Sequence, residues 1–457
     1  MAQLATTIVP DDLTAKERSL LGIHLASAFL TGISMGVLFL ADTIVAKTLG
    51  GSNFSVTLIN LLMGAGFLST LFTSGMMRNR RKGPFLIGAA LVGRVALGLT
   101  GLWVHTAWYI TMVGLAWFGQ ALIVTGQVSI IQKAYGVERR DQLFGLSLSV
   151  NMLARLLATV GAGWVMDWNE STYRIVYAVA GLAGLVGAVL LDRMERRSLE
   201  GTSPGSESIY RPLGEAGWAA GWRGARESAQ HLWRILREDT AFRRFERNFF
   251  IYGIAFLALM PIVPIFLVHD LELDYARIGL ARGLMAQSGM ILFGPLSGRV
   301  MRRSGPMRFS SRVFALLSLY PFLLLLSAYF PGSFQISLVY AGFLAFGIAM
   351  AGVNVAWNLS SIHFAGDADP SSYQAVHSVL VGARGVVAPL LGYAIVQTAS
   401  TRAGFALTAG LFLTAAFLMA RMAREPAAGQ ARAALPTVPA GAQDAREEAG
   451  VPADPRQ

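Results

Sequence analysis

Two arginines in apolar surroundings are the residues of this sequence best placed for chemistry. Arg155 and Arg384 both end the phrase Ser-Val-x-x-x-Ala-Arg, and a glycine follows each arginine eight positions later. Inside a membrane an arginine costs about 2.5–3.5 kcal/mol on insertion scales, so it should face a protein interior or water. We expect the pair to contact an anionic or polar ligand or to gate a cavity. Alternatively, each arginine hydrogen-bonds helix carbonyls and neighbours such as Asn151, and so holds its own bundle together.

The composition predicts a chain that is solvated mainly by lipid. The 457 residues are 54% hydrophobic and 14% charged, with a mean hydropathy of +0.51. A soluble protein of this length needs more polar surface. The absence of cysteine excludes disulfides, thiolate metal sites and cysteine nucleophiles. The net charge of +11 is concentrated in a few short loops, which indicates membrane topology rather than nucleic-acid binding.

Twelve apolar stretches of about 20 residues predict an all-α membrane protein, because open sheet edges cannot be satisfied in lipid. The predicted spans are 20–42, 54–76, 85–104, 107–131, 142–167, 173–191, 248–268, 277–299, 309–329, 335–360, 371–397 and 402–422. Basic residues recur after the even-numbered spans, so the positive-inside rule places both termini in the cytoplasm. The loop after the tenth span, with two aspartates and no base, departs from this trend.

The repeated arginine phrase, half a chain apart, predicts an internal duplication. We expect residues 1–191 and 248–424 to form two six-helix bundles. Residues 192–247 would be a cytoplasmic central loop with an amphipathic helix of Trp and Arg residues. That helix would lie on anionic lipid or serve as an ordinary linker. Residues 425–457, rich in Ala, Pro and Gly, are predicted to be a disordered cytoplasmic tail.

A second repeated phrase, glycines followed by a basic run, comes after spans two and eight. Its residues are Gly75, Asn79 and Arg80 in the first copy and Gly294, Gly298, Arg299, Arg302 and Arg303 in the second. We expect these glycines to end helices that are closely packed on a neighbour and these bases to gate the cytoplasmic surface. The two copies resemble the Gly-x-x-x-(Asp/Gly)-Arg-x-x-(Arg)-(Arg/Lys) loop of the major facilitator superfamily, with an asparagine where the first loop usually has an acid.

The resemblance covers about residues 15–424, and Asn151-x-x-x-Arg155 in span five resembles the exporter-like branches of that family. It implies two bundles that are related by an axis along the membrane normal. The substrate site would lie between them at mid-depth, and rocking of one bundle against the other would give alternating access. The proline that is usual in the antiporter signature of this span is missing.

Polar residues on spans that line the cavity in that family are candidate substrate contacts. They are Arg155, Arg384, Asn151, Gln120, Gln127, Asn354, Trp357 and Asn358. The alternative for the amides is helix–helix hydrogen bonding. Arg94 lies in span three, outside that cavity, so we expect it to pair structurally. Pro261 and Pro264 should bend span seven.

Proton coupling is left open by the sequence. The candidates are Asp42, His24 and His377, since no Asp or Glu falls near the middle of a predicted span. The alternative for Asp42 is solvation at a loop, and the alternative for each histidine is a packing or interface role.

The expected function is secondary active transport of a small organic solute, outward and with an anionic solute favoured. No P-loop, metal-ligand spacing or nucleophile with a base is present, so we expect no enzyme activity, metal or cofactor. The protein would be a multi-pass monomer of the inner (plasma) membrane, with a small-molecule substrate and lipid as partners and no nucleic acid. An uncoupled facilitator, exchanger or importer of the same fold is one alternative. A non-transporting receptor or a lipid-translocating protein is another.

Overall fold

The computed structural model describes residues 13–77, 81–200, 233–365 and 370–425, together with Trp222, Arg226 and Gln230. The described ranges are helical and contain no strand. Twelve long helices follow one another in them, and we number them α1–α12. They are α1 Ala15–Lys47, α2 Asn53–Leu68 with Thr70–Met77, α3 Gly83–Leu99, α4 Thr106–Ala134, α5 Val137–Trp168, α6 Tyr173–Leu199, α7 Thr240–Asp270, α8 Tyr275–Gly279 with Leu280–Met285 and Ala286–Ser304, α9 Pro306–Ser327, α10 Ser333–Ala365, α11 Pro370–Thr398 and α12 Thr401–Met422.

The chain is a multi-pass membrane protein. Nine helices of the described ranges are long and apolar enough to cross a membrane, and Asn53–Leu68 and Gly83–Leu99 are shorter apolar helices. The predicted all-α fold is thus confirmed. That all twelve helices span the bilayer, with cytoplasmic termini, stays a prediction.

The helices on either side of the predicted central loop are longer than the predicted spans. Helix α6 continues to Leu199 and α7 already begins at Thr240. Both additions carry charged residues, which a hydropathy criterion excludes although the helix continues. Most of the predicted amphipathic helix, and the tail from residue 426 onward, lie outside the described residues. The domain limits therefore stay predictions.

Close helix contacts without side chains hold each half of the chain together. A Cβ added at Gly32 or Gly36 of α1 would lie 2.5 Å from a backbone carbonyl oxygen of α5, that of Asn151 or Arg155. A Cβ at Gly392 of α11 would lie 2.2 Å from the carbonyl oxygen of Ala258 in α7. Only glycine fits such approaches, because any larger residue would push the two backbones apart.

The two faces of the helix assembly differ in what they hold. We call the face with the start of α1 and the end of α12 the terminal face, and the opposite one the distal face. At the terminal face Lys16 of α1 donates to the carbonyl of Glu200, and Arg244 of α7 pairs with Glu425 after α12 at 2.9 Å. Contacts between the first half (α1–α6) and the second half (α7–α12) include an ion pair near the distal face, between Asp42 and Arg282.

Helices α7 and α8 depart from α geometry where they approach the distal face. Helix α7 contains Pro261 and Pro264 and ends in the π-helical segment Phe266–Asp270, and α8 contains the π-helical segment Leu280–Met285. A π-turn accommodates one residue more than an α-turn, and such turns are frequent at functional sites. Arg282 lies inside the second of these segments.

Candidate functional site

Arg155 lies on α5 at the boundary with α1. Its Nη2 donates to Asn151 Oδ1 at 3.1 Å, and Asn151 Nδ2 in turn donates to the carbonyl of Ala28 at 2.8 Å. The guanidinium is 5.3 Å from the ring centroid of Phe39, a cation–π distance. Its Nε has no hydrogen-bond partner, and no carboxylate lies within 4 Å, among the described residues. Arg155 is half-buried and so retains capacity to bind an acceptor.

Arg384 lies on α11 and is buried against α7. Its Nη1 donates to the carbonyl of Phe249 at 2.8 Å, and the guanidinium lies 5.8 and 5.9 Å from the ring centroids of Phe249 and Tyr252. A Cβ at Gly253 would lie 2.2 Å from Arg384 Cζ, so that glycine makes the space for the guanidinium. Only 2% of Arg384 is exposed. The contacts join α11 to α7, which is the arrangement that the structural alternative describes, and a solute contact at Arg384 stays a prediction.

A buried carboxylate–imidazole pair lies one to two helical turns from Arg384, towards the terminal face. His377 Nδ1 is 2.8 and 2.9 Å from the two carboxylate oxygens of Glu246, and each side chain is 3% exposed. The imidazole ring packs against Phe249 and Trp357, with centroids at 4.7 and 4.9 Å. Sequence reasoning missed Glu246 because it precedes the predicted start of span seven at 248. The continuation of helical periodicity back to Thr240 was the available signal.

Asp42, a candidate for proton coupling, forms an ion pair between the two halves. Arg282 Nη1 lies 2.6 Å from Asp42 Oδ1, Nη2 lies 3.2 Å from Oδ2, and Nη1 also donates to the carbonyl of Phe39 at 2.9 Å. We call Asp42, Arg282 and the Phe39 carbonyl the distal latch. The same Phe39 thus contacts Arg155 through its ring and Arg282 through its carbonyl. Sequence reasoning did not select Arg282, because its partner is 240 residues away.

Further contacts hold the halves together beside the distal latch. The backbone N–H of Tyr275 donates to Asp167 Oδ1 at 2.6 Å, and the hydroxyls of Tyr275 and Thr48 are 2.5 Å apart. Across the other seam, a Cβ at Gly64 of α2 would lie 2.3 Å from the carbonyl oxygen of Gly385 in α11. The contacts of Tyr275 lie beside the latch, whereas that of Gly64 lies near the middle of α2 and α11.

Two other candidates from the sequence contact residues of the first half. Gln120 accepts a hydrogen bond from Arg94, which also donates to Ser34 at 3.1 Å, so the expected structural pairing of Arg94 is present. His24 Nδ1 is 3.2 Å from the hydroxyl of Tyr135, and the ring is buried. Gln127 is half-buried on α4. The structure therefore does not bring Gln120 and His24 together with Arg155 by direct contact.

The candidates on α10 and in the basic loops are only partly described. Asn354 is exposed and Trp357 half-buried, whereas the side chain of Asn358 lies outside the described residues, as do Asn79 and Arg80. Gly75 lies in the segment Thr70–Met77, and nothing further is described of its surroundings. Arg299, Arg302 and Arg303 are exposed at the end of α8. No described atom lies within 4 Å of a Cβ at Gly294 or Gly298, so the expected close packing of these two glycines is wrong.

The comparisons with known proteins identify the family. A family model of the Major Facilitator Superfamily matches residues 25–381 and 248–441. The chain therefore belongs to the major facilitator superfamily, and it is a transporter of the membrane rather than an enzyme. The exporter-like branch is not established by this match. A comparison with curated proteins gives no significant match.

Solved structures with the same fold are transporters of different solutes. The nucleoside transporter NupG superposes with a TM-score of 0.62 at 14% identity, over 88% of this chain and 99% of that chain. A peptide transporter POT in complex with sulfate gives 0.68 at 14% identity, over 94% and 99%. Tetrameric PepTSo2 gives 0.63 at 13% identity, over 90% and 97%. At such identities the similarity concerns the fold alone, and the monomeric state of this chain stays a prediction.

Proposed function

We propose that the protein moves a small organic solute with an anionic group across the membrane by alternating access, and that Arg155 binds that group. The observation that carries the proposal is the half-buried Arg155 guanidinium, braced through Asn151 and without a carboxylate partner among the described residues. A guanidinium in this state suits a carboxylate or phosphate, which it binds through two parallel hydrogen bonds.

The contacts between the halves on the distal side support alternating access. The distal latch and the contacts of Tyr275 join the halves on that side, and Phe39 contacts both the latch and Arg155. A solute that draws Arg155 towards itself would change the contacts of Phe39, and the latch would respond. Solute binding would thus be linked to opening of the distal side. A ligand that binds the open and closed states with different affinities shifts the equilibrium between them.

The coupling ion that we propose is a proton, held by Glu246 and His377. The pair can share a proton over 2.8 Å, and Phe249, which packs against the His377 ring, also contacts the Arg384 guanidinium. Tyr373, on the same helix as His377, donates to Asp239 at 3.1 Å, so that further carboxylate is engaged. The terminal face is predicted to be cytoplasmic. A proton that moves into the cell through this pair would then drive the solute out of the cell, which is the direction expected from the sequence.

The test is counterflow in liposomes with the purified protein. The panel contains small carboxylates, dipeptides and nucleosides, because the structural neighbours are named as peptide and nucleoside transporters. We expect saturable exchange of carboxylate-bearing solutes and none of neutral nucleosides. Binding without counterflow would instead support a receptor, and movement of labelled phospholipid would support lipid translocation.

Coupling is tested by the response to an imposed pH gradient. We expect the gradient to accelerate wild-type flux severalfold, and Glu246→Gln to show exchange that ignores the gradient. Asp239→Asn, which alters a nearby carboxylate outside the pair, is the matched control and should respond as the wild type does. Wild-type flux that ignores the gradient would favour the uncoupled facilitator.

A further inference from the structure

A basic cavity opens on the terminal face, where α7 begins and α12 ends. Its volume is about 310 Å³, and Arg244, Arg247, Asn248, Leu418, Arg421 and Met422 line it together with Glu425. None of these residues belongs to the solute site proposed above. The cavity combines cationic side chains with apolar ones, which is the composition that a phospholipid headgroup region requires.

The charges of this cavity are not balanced. Glu425 Oε2 accepts a hydrogen bond from Arg244 at 2.9 Å, which neutralises one of the three arginines. Arg247 and Arg421 have no ion-pair partner in the part of the chain that the structure describes. Two guanidinium groups thus flank one opening without a counter-charge. Their repulsion would be relieved by a bound anion.

Asn248 supplies a second, independent indication of a ligand. It is 2% exposed, it lines the cavity, and its Oδ1 has no hydrogen-bond partner among the described residues. A buried polar atom without a partner is costly, so such atoms are usually satisfied by a ligand or by water. The amide offers either its oxygen or its NH2 group, and it can therefore meet a hydroxyl or a phosphate oxygen.

An apolar strip of α12 runs towards the cavity. Such a strip could contact acyl chains, so it favours a lipid over a soluble anion as the ligand. Leu413 and Phe417 are 53% and 66% exposed, and with Arg421 they are spaced four residues apart, on one helix face. In a membrane protein such exposed apolar residues face acyl chains. We propose that the cavity binds the phosphate headgroup of an anionic phospholipid, whose acyl chains lie along Leu413 and Phe417.

The proposal is tested by thermal unfolding of the purified full-length chain in detergent. Phosphatidylglycerol, phosphatidylcholine and inorganic phosphate are added separately, because a ligand that binds the folded state raises the Tm. We expect phosphatidylglycerol alone to raise the Tm of the wild type. The double variant Arg247→Gln/Arg421→Gln should weaken the apparent affinity for phosphatidylglycerol on the order of tenfold. Arg308→Gln/Arg312→Gln, which removes two exposed arginines that do not line the cavity, should keep it.

A second variant, which keeps all three arginines of the cavity, keeps the test decisive if the double variant does not fold. Glu425→Gln removes the one carboxylate among the described residues that line the cavity, so it should bind phosphatidylglycerol more tightly, and unchanged affinity would overturn the proposal. Wild-type affinity in the arginine double variant would place the lipid elsewhere. An equal Tm rise with inorganic phosphate would make the cavity a soluble-anion site and would also overturn the proposal. These are binding measurements, so loss of transport does not affect them.

Discussion

Arg155 and Arg384 end the same sequence phrase, yet the two halves of the chain surround them differently. Arg384 is 2% exposed and donates to a backbone carbonyl of α7, between the rings of Phe249 and Tyr252. Arg155 is half-buried and donates to Asn151 on its own helix, with Phe39 on one side of the guanidinium. The Nε of each arginine has no hydrogen-bond partner among the described residues, so the two differ in exposure: Arg384 is buried between two helices of its own half, whereas Arg155 is partly exposed.

A duplicated position can thus have different surroundings in the two halves of the chain. The helix repeat brings both arginines to corresponding places because each lies on the helix that packs against the first helix of its half. Their partners come from α1 and α7, and those helices differ: α7 offers Gly253 and two aromatic rings, whereas α1 offers Phe39 at its bend. The pairing of Glu246 with His377 is found in the second half, where Arg384 is also buried.

The largest effect is expected for Arg384→Ala. The substitution removes a charge-assisted hydrogen bond and a large buried side chain, so the free energy of unfolding should fall by about 3–5 kcal/mol. Thermal unfolding in detergent measures this loss, and transport should be lost with it. A variant with the wild-type Tm that fails to transport would instead make Arg384 a solute contact.

Arg155→Ala should leave folding nearly intact and abolish most transport. Removing a hydrogen bond to a charged group costs about 1.5–3 kcal/mol, which corresponds to a loss of about 10- to 100-fold in counterflow. Arg174→Ala, at an exposed arginine of α6, is the control and should transport normally. Wild-type flux in Arg155→Ala would remove the basis of the proposed solute site.

A smaller loss of stability is expected when a glycine that packs against an arginine-bearing helix is replaced by alanine. A Cβ at Gly36 would meet the backbone oxygen of Arg155 at 2.5 Å, and backbone cannot move aside, so Gly36→Ala should destabilise the protein by about 1–3 kcal/mol. At Gly22, on the same helix, no described atom lies within 4 Å of an added Cβ. Gly22→Ala should therefore be neutral, and equal Tm losses in the two variants would contradict the packing described.

The smallest effect concerns the distal latch and uses the absence of cysteine in the sequence. Thr159 is 3% exposed; its hydroxyl donates to the carbonyl of Gly36 in α1, and its Cβ lies beside Gly283 of α8. Thr159→Cys therefore introduces a single thiol that should become more accessible to a maleimide when the halves separate. Asp42→Asn in that background should raise the labelling rate up to about tenfold, since the buried ion pair to Arg282 is weakened. Asp270 accepts a hydrogen bond from Thr401 within the second half, so Asp270→Asn should leave the labelling rate unchanged.

The sequence was sufficient for the helical fold and the family, and the role of the two arginines stays a prediction. Their signals are local: hydropathy over about 20 residues, a repeated phrase and a basic loop motif. The partners were not predictable in the same way. Asp42 and Arg282 are 240 residues apart, and Glu246 and His377 are 131 apart, so only the packing of the halves shows that they meet.

Two further differences between the sequence predictions and the structure concern Glu246 and Gln120. Glu246 falls before the apolar part of α7, so a hydropathy criterion assigns it to a loop, although the helix buries it. Gln120 has the polarity of a cavity residue, but its side chain accepts a hydrogen bond from Arg94. Arg94 is buried in the bundle, so its guanidinium needs hydrogen-bond acceptors from neighbouring helices. Polarity inside a span thus indicates that a partner exists, without saying whether it is solute or protein.

The wide turn Leu280–Met285 sets the direction in which Arg282 points. A π-turn holds one residue more than an α-turn, and each residue of an α-helix advances by about 100° around the axis. Deleting one residue from that turn would restore regular winding and would rotate everything on one side of it by about that angle. The guanidinium would then be aimed away from α1. The ion pair between Arg282 and Asp42 therefore depends on a single extra residue, and its loss would separate the two side chains although both remain in the chain.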